Sequence, residues 1–412
     1  MGRYDEITPL DLYTTADFVR LTRRMLPDAE AELPELENYP YSRVNRSVAS
    51  TRAELLLCGV LGCHGAAINL FDHLGNRMDA GDKYGAMLAA EKPCLEALAP
   101  LLRAPGRDRG VNLAFSEDYG KCCHNANGDG TPDQWRGHGT STAMVAGLLG
   151  LPVIYDRAAE ITFLTAQTAR ALDDGTLRRY LSGGLWLDAA AALILDERGF
   201  GELIGVKEFA EPKHPDEYPN AAAEEFLPQP ADIPSYASLF VPCYGDNSPV
   251  YFLTPADGAQ VFSQGVDYNR KPLGITATLF HNSLGGNVFV HAFEYEPYAG
   301  NASFCSPQRL AAFGRLLEVL GTAPFRVTGD GVCPFAVRRD LDDGRTVVGF
   351  MNFSSDPWEE AIFHLPDAAK FATAAVLEED GQWRAIPYAP QGGRWTLRRT
   401  VPAKRALFAV LA

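Results

Sequence analysis

The chain has 412 residues, 46% of them hydrophobic and 22% charged, with a formal net charge of -15. These proportions describe an ordinary globular protein, and the length exceeds what one growing core accommodates, so two or three domains are expected. The acidic balance, without any Lys/Arg cluster, excludes a nucleic-acid partner, and no apolar run reaches the roughly eighteen residues that a membrane span needs.

The start, MGRYDEITPLDLY, shows no cationic segment leading into an apolar run, so a cytoplasmic chain without a signal sequence of its own is expected. Eight cysteines are too sparse for a disulfide scaffold. Only Cys58 and Cys63, and the adjacent Cys122 and Cys123, lie close together in sequence. KCCHN (Lys121 to Asn125) lacks the second pair that a tetrahedral metal set requires, so reduced thiols are expected, with no metal and no cofactor.

In chain order, Thr14 to Met25 and Arg43 to Leu61 carry helical patterns. AAINLFDHLGN (Ala66 to Asn76) is an apolar run closed by a Gly-containing turn, a buried parallel strand. With the helix near Tyr84 to Leu102, this is the rhythm of β/α units. RAPGRDRG (Arg103 to Gly110) reads as a linker. After it, VNLAFS, LPVIYD, AEITFLT and LIGVKEF alternate with helical stretches as a second α/β region, closed by GNVFVHAFEYEP (Gly286 to Pro297) and a helix from Pro307 to Leu320. The acidic, Pro-rich stretch from Glu211 to Pro234 reads as an exposed lid or interface loop. From Phe325 onward, short alternating runs separated by turn signals read as an all-β sandwich. The expected domains are 1–103, 107–321 and 324–412, a fold of class α/β plus all-β.

ELPELENYPYSR (Glu32 to Arg43) places three carboxylates before an aromatic and proline corner. On residue types alone, Glu32, Glu35 and Glu37 are a solvated loop or the rim of a site. The run ELENYPYSRVNRSVASTRAELLLCGVLGCHGAAINLFDHLGN, followed by LSGGLWLDAAAALILDERGFGELIGV and a terminal β domain, resembles the C-terminal part of three-domain retaining glycosidases, the family 42 β-galactosidases and related β-mannosidases. The resemblance implies the last units of a (β/α)8 barrel, a flavodoxin-like or amidotransferase-like α/β trimerisation domain, and an antiparallel β-sandwich. It also makes Leu36-Glu37-Asn38 look like the end of the seventh barrel strand and INLFDHLGN like the eighth. Glu37 is then the candidate nucleophile, since barrel chemistry is built at the C-terminal ends of strands. Tyr39 and Tyr41 offer stacking faces, Arg43 a cation that keeps a carboxylate ionised, and Asp72 and His73 lie at the next strand's mouth. Each has a plainer reading: Arg43 pairs with Glu35, Asp72 caps a turn, and His73 is a loop histidine.

A whole barrel takes about 250 residues, whereas barely a hundred precede the linker. No candidate for the general acid/base, which in such enzymes follows an asparagine on the fourth strand, is found here. A retaining mechanism needs that second carboxylate about 5 Å from the nucleophile. The chain therefore reads either as part of a glycosidase acting on a carbohydrate, completed by missing sequence or a second chain, or as a non-catalytic oligomeric scaffold or carbohydrate-binding protein of that lineage.

A third reading, an amidotransferase-type hydrolase, needs a cysteine at a Gly-flanked strand-to-helix elbow. The corresponding turn, Leu181 to Trp186, has none, and Ser182 lacks the G-x-S-x-G setting. Leu185, Trp186 and Leu187 are expected to be exposed anchors of a subunit interface, most simply of a trimer as the resemblance implies. The strands within residues 1–102 are expected to be covered by a partner chain or by the excursion between Glu211 and Pro234, or else to be poorly ordered.

Overall fold

A computed structural model describes residues 6–39, 46–71, 83–119, 140–156, 158–165, 168–211, 221–228, 238–239, 250–295, 306–322 and 324–412. The first segment runs α1 (Pro9–Met25), β1 (Glu35–Glu37), α2 (Val48–Val60), β2 (Ala67–Asn69) and α3 (Lys83–Arg103), followed by β3 (Gly106–Asp108). The middle contains β4 (Val111–Leu113), α4 (Thr140–Leu148), β5 (Val153–Ile154), β6 (Ile161–Leu164), α5 (Thr168–Ala171), α6 (Asp174–Leu181), β7 (Gly184–Leu187) and α7 (Ala189–Leu195). It continues through β8 (Val206–Phe209), β9 (Ala221–Phe226), β10 (Ser238–Leu239), β11 (Leu253–Pro255), β12 (Gln260–Asp267), β13 (Pro272–His281), β14 (Asn287–His291) and α8 (Pro307–Leu320). The last segment is wholly β apart from one short 3-10 turn: β15 (Arg326–Gly329), β16 (Pro334–Leu341), β17 (Thr346–Asn352), β18 (Trp358–His364), β19 (Ala374–Leu377), β20 (Trp383–Ile386), β21 (Arg394–Val401) and β22 (Ala406–Leu411). The fold class is α/β plus all-β.

The chain divides into two compact units. One comprises Met1–Gly110, Gly150–Ile154 and Phe325–Ala412, and the other Val111–Leu149 and Tyr155–Pro324.

In the first unit, two antiparallel sheets, β15-β18-β21 and β20-β19-β22-β17-β16-β3, face each other across a core that includes Val327, Phe350, Phe363, Val376, Trp395 and Leu407. The supposed linker is part of this sheet. β3 pairs antiparallel with β16, Arg339 bonds Asp108 at 2.7 Å and Arg109 bonds Asp340 at 2.7 Å, so polar residues that read as a break form a charged edge strand.

The N-terminal helices are covered by the chain's own sandwich, an arrangement the sequence reading did not include. Tyr13 on α1 donates its hydroxyl to the Pro334 carbonyl at 3.0 Å, and its ring meets Phe353 edge-on at 4.9 Å. Arg20 lies over the Phe335 ring at 4.4 Å. From α3, Glu91 pairs with Arg405, and the Cys94 thiol donates to the Glu378 carbonyl at 3.3 Å. α1 starts with a capping box between Thr8 and Asp11, and the Glu6 carboxylate accepts from Ser47 N–H and from the Ser50 hydroxyl at the start of α2.

In the second unit, β4, β6, β7 and β14 pair in parallel, and β13, β12, β9 and β10 continue the sheet antiparallel. β7, GLWL, is buried along its whole length, as a central parallel strand requires. This overturns the expected exposure of these anchors: Leu185, Trp186 and Leu187 are each 0% exposed, and Trp186 packs against Phe163, Phe289 and Phe313 with centroids 4.7 to 5.0 Å apart. A Gly-Gly pair ahead of Leu185 and Trp186 reads the same in a surface turn and at the mouth of a core strand; the burial of all four residues of β7 decides for the core.

The stretch from Glu211 to Pro234 is likewise not only an excursion. Within it, β9 enters the sheet beside β12, with Glu224 and Phe226 both buried. Proline and charge density suggested a loop, but alternation within AAAEEF puts Glu224 and Phe226 on one face.

Gly184 is fixed by close approach, because a Cβ there would lie 2.2 Å from the Leu320 carbonyl oxygen. Gly184→Ala is expected to force α8 off β7 and to cost about 1–3 kcal/mol. Urea denaturation should show the loss as a lowered midpoint with an unchanged slope.

Candidate active site

β1 and β2 form a parallel pair in the register Glu35 to Ala67, Leu36 to Ile68 and Glu37 to Asn69, extended by Asn38 N–H donating to the Asn69 carbonyl at 3.1 Å. Strand alternation splits the segment. Leu36 and Asn38 are buried, while Glu35 and Tyr39 are exposed and Glu37 is half-buried on their side. Glu37 is thus the last residue of a parallel strand that leads into a helix, and Tyr39, 53% exposed, follows at its mouth. Tyr41, Arg43, Asp72 and His73 lie outside the described residues.

The other two carboxylates of the opening cluster behave differently. Glu32 is gripped by Arg23, whose Nε reaches Oε1 at 2.8 Å and whose terminal nitrogen reaches Oε2 at 2.5 Å. The same guanidinium donates to the Leu61 carbonyl at 2.7 Å, so one arginine ties α1, the lead-in to β1 and the end of α2. Backbone bonds between Glu32 and His64 and between Pro34 and Ala67 align the two strands from below. Glu35 is an exposed strand residue. Asn38 was not singled out by its residue type, yet it is 0% exposed with neither carboxamide atom hydrogen-bonded, a cost of about 1–3 kcal/mol beside Glu37.

The second unit holds a polar constellation with no sequence motif to announce it. Glu224 on β9 accepts from the Ser263 hydroxyl at 2.6 Å, the Thr276 hydroxyl at 3.0 Å and His291 Nε2 at 3.2 Å on one oxygen. Its other oxygen accepts from Arg309 at 2.8 and 3.2 Å. Tyr295 lies 2.9 Å from His291 Nδ1 and receives the Trp186 indole N–H at 2.7 Å. A neutral His291 with its proton on Nε2 satisfies every one of these contacts, since Nδ1 then accepts the Tyr295 proton.

Burial would raise the Glu224 carboxyl, but the charge of Arg309 and the hydrogen bonds from the neutral His291 ring and from Ser263 prevail and hold it well below the usual range. Burial pushes His291 below its ordinary value despite the attraction of Glu224. No member of the constellation is more than 8% exposed. A substrate has no surface to meet here, so the chemistry of the network is that of a clamp.

Ser182 belongs to neither site. It is the C-cap of α6, its hydroxyl bonding the Arg179 carbonyl at 2.8 Å, and the turn runs from helix into strand, opposite in sense to a nucleophile elbow. The strand-to-helix turn after β7 carries Asp188, which caps α7 by accepting Ala191 N–H at 2.9 Å. Among the described residues no group of three or more His, Cys, Asp or Glu side chains is arranged around a metal position, and no helix is long and apolar enough to cross a membrane.

Arg309→Leu strands an ionised Glu224 in the core and is expected to cost about 3–5 kcal/mol, part of which the double variant with Glu224→Leu recovers. Denaturation midpoints of the three variants measure both effects.

For His291 the sign is set by its depressed folded value. Stability from the neutral ring is complete above the unfolded value of about 6.5 and is lost as pH falls below it, because the unfolded ring binds the proton first. His291→Gln should flatten the fall in stability between about pH 6.5 and 5, read as the difference from the parent chain in melting scans across that range.

No family model matches the sequence, and no curated protein matches it. Solved structures do. The chain superposes on Gan42B, a family 42 β-galactosidase, with a TM-score of 0.54 at 11% identity, covering 99% of this chain and 58% of that one. A catalytic mutant of the same enzyme from G. stearothermophilus gives 0.53 at 11% identity, covering 100% and 58%. The β-galactosidase of the psychrophilic Marinomonas ef1 gives 0.51 at 13% identity, covering 98% and 55%. The chain therefore spans less than two thirds of the length of these structures, and over that span it has the fold of the family 42 β-galactosidases.

Proposed function

We propose that the chain is the C-terminal part of a retaining glycoside hydrolase that acts on β-linked sugars of the galactoside or mannoside type. The observation that carries this reading is the position of Glu37, the last residue of a parallel strand in a family 42 fold, at the end of the strand where barrel enzymes put their chemistry. In that role Glu37 attacks the anomeric carbon to form a glycosyl-enzyme, while a second carboxylate protonates the departing oxygen and then activates water. Tyr39 supplies an aromatic face beside the ring, and Tyr41, Arg43, Asp72 and His73 complete the sugar pocket.

Further barrel strands supply the second carboxylate. Two observations support completion from outside the described residues: the two-stranded parallel sheet, which is marginal alone, and the unmet carboxamide of Asn38. Glu32 and Glu35 take no part in the chemistry, since Glu32 is spent on Arg23.

The isolated 412 residues are expected to leave aryl β-galactosides and β-mannosides uncleaved. Co-expression with the missing barrel strands should restore turnover. In the completed enzyme Glu37→Gln should reduce hydrolysis to background, whereas Glu32→Gln should retain the rate and lower stability by about 1 kcal/mol. Hydrolysis by the isolated chain that survives Glu37→Gln would overturn the assignment.

A further inference from the structure

Cys58 and Cys63 have no role in the proposed glycosidase site, yet local geometry sets them face to face. α2 ends in a Schellman turn: Gly62 N–H bonds the Gly59 carbonyl at 2.9 Å, Cys63 N–H bonds the Cys58 carbonyl at 2.9 Å, and Gly62 adopts φ 69°. In this motif the third-last helical residue and the second residue beyond the cap face each other, usually as an apolar contact. Here both positions are cysteine. The two thiols are free, and the residues are 4% and 2% exposed.

Two cations crowd the second cysteine. Arg103 donates to the Cys63 carbonyl at 2.7 Å, and Arg23 donates to the Leu61 carbonyl, also at 2.7 Å. The hydrogen bond from Cys58 holds the Cys63 thiol below its ordinary range, with burial opposing and the charges of Arg23 and Arg103 assisting. Giving that hydrogen bond, together with burial, pushes Cys58 well up. The pair therefore divides into a thiolate-forming and a proton-holding member, the asymmetry that thiol–disulfide exchange uses.

We propose that Cys58 and Cys63 are a reversible dithiol–disulfide pair, with Cys63 the attacking and Cys58 the resolving thiol, reacting with low-molecular-weight disulfides. The Cys63 thiolate attacks one sulfur of the small disulfide, whose S–S bond breaks and releases one thiolate. Cys58 passes its proton to that thiolate, attacks the Cys63 sulfur and expels the second small thiolate. Two protein thiols are oxidised to one disulfide as the small disulfide is reduced to two thiols. The reagent enters as the turn at Gly62 opens, helix ends being the least stable part of a helix. The new bond then fastens the end of α2 to the lead-in of β2.

The test uses the full chain, folded, exposed to oxidised glutathione, then alkylated under denaturing conditions and digested with trypsin. The peptide Ala53 to Arg77 contains no cysteine besides these two. It should appear unalkylated and lighter by two hydrogens, and dithiothreitol before alkylation should return the doubly alkylated form. Cys58→Ser should trap glutathione on Cys63, whereas Cys63→Ser should leave Cys58 unmodified. A parent peptide that stays doubly alkylated, or that carries a stable adduct in place of the internal disulfide, would overturn the proposal, as would a disulfide formed only in denaturant. The mass readout is independent of hydrolytic activity.

Discussion

A carboxylate removed from water constrains the second unit more tightly than any apolar contact does. Stripping Glu224 of solvent costs several kcal/mol, and the cost is met only when every donor arrives together. Those donors sit on β12, β13, β14 and α8, and a slip of one residue in any register would turn a donor to the other face. The bulges around Ser263 in β12 serve this requirement, re-aiming the strand so that its hydroxyl reaches the Glu224 oxygen. Trp186 and Tyr295 carry the same constraint inward to the parallel strands, through His291. Apolar burial around Phe289 and Phe313 holds the sheet and helix together, while the buried charge selects which arrangement of them is allowed.

The first unit solves the opposite problem. β1 and β2 are too short to stand alone, and their stability comes from what α1, α2 and α3 pack against. Tyr13, Arg20, Glu91 and Cys94 place two of those helices on the C-terminal sandwich, so residues far apart in sequence share one unit. The Arg23 guanidinium then sets the strands locally, by bonding Glu32 ahead of β1 and the carbonyl of Leu61 ahead of β2. Rigidity beneath a strand end is what a carboxylate such as Glu37 needs if it is to be aimed rather than merely solvated.

The helices and the β-rich end were legible because their periods are regular: the helix from Pro307 to Leu320 has the bounds its pattern gives, and Phe325 onward forms strands throughout save for the 3-10 turn at Ala368–Lys370. Short elements were not. β3 and β9 are rich in charge, glycine or alanine, and their strand character comes from partners β16 and β12 rather than from their own residues. Trp186 was misread as surface for a related reason, because a four-residue apolar strand carries no signal of whether both its faces are covered. For Glu37, the resemblance placed Leu36-Glu37-Asn38 at a strand end, and the strand end is where Glu37 lies, as the last residue of β1. The Glu224 constellation was not legible, since Glu224 and the four residues that donate to it lie between 13 and 85 residues apart and only the sheet and α8 bring them together.

The same residue type thus serves three ends, and environment alone separates them. Glu224 has five donors and no solvent, which makes it an anchor whose charge is spent entirely inside the protein. Glu32 has one bidentate arginine and partial exposure, which makes it a hinge pin between helix and strand. Glu37 stands at a strand end, half-buried beside an exposed tyrosine, with its neighbour Asn38 still short of a hydrogen-bond partner. Of these three carboxylates, Glu37 alone ends a paired strand with its side chain half-buried, the setting that the proposed nucleophilic role calls for.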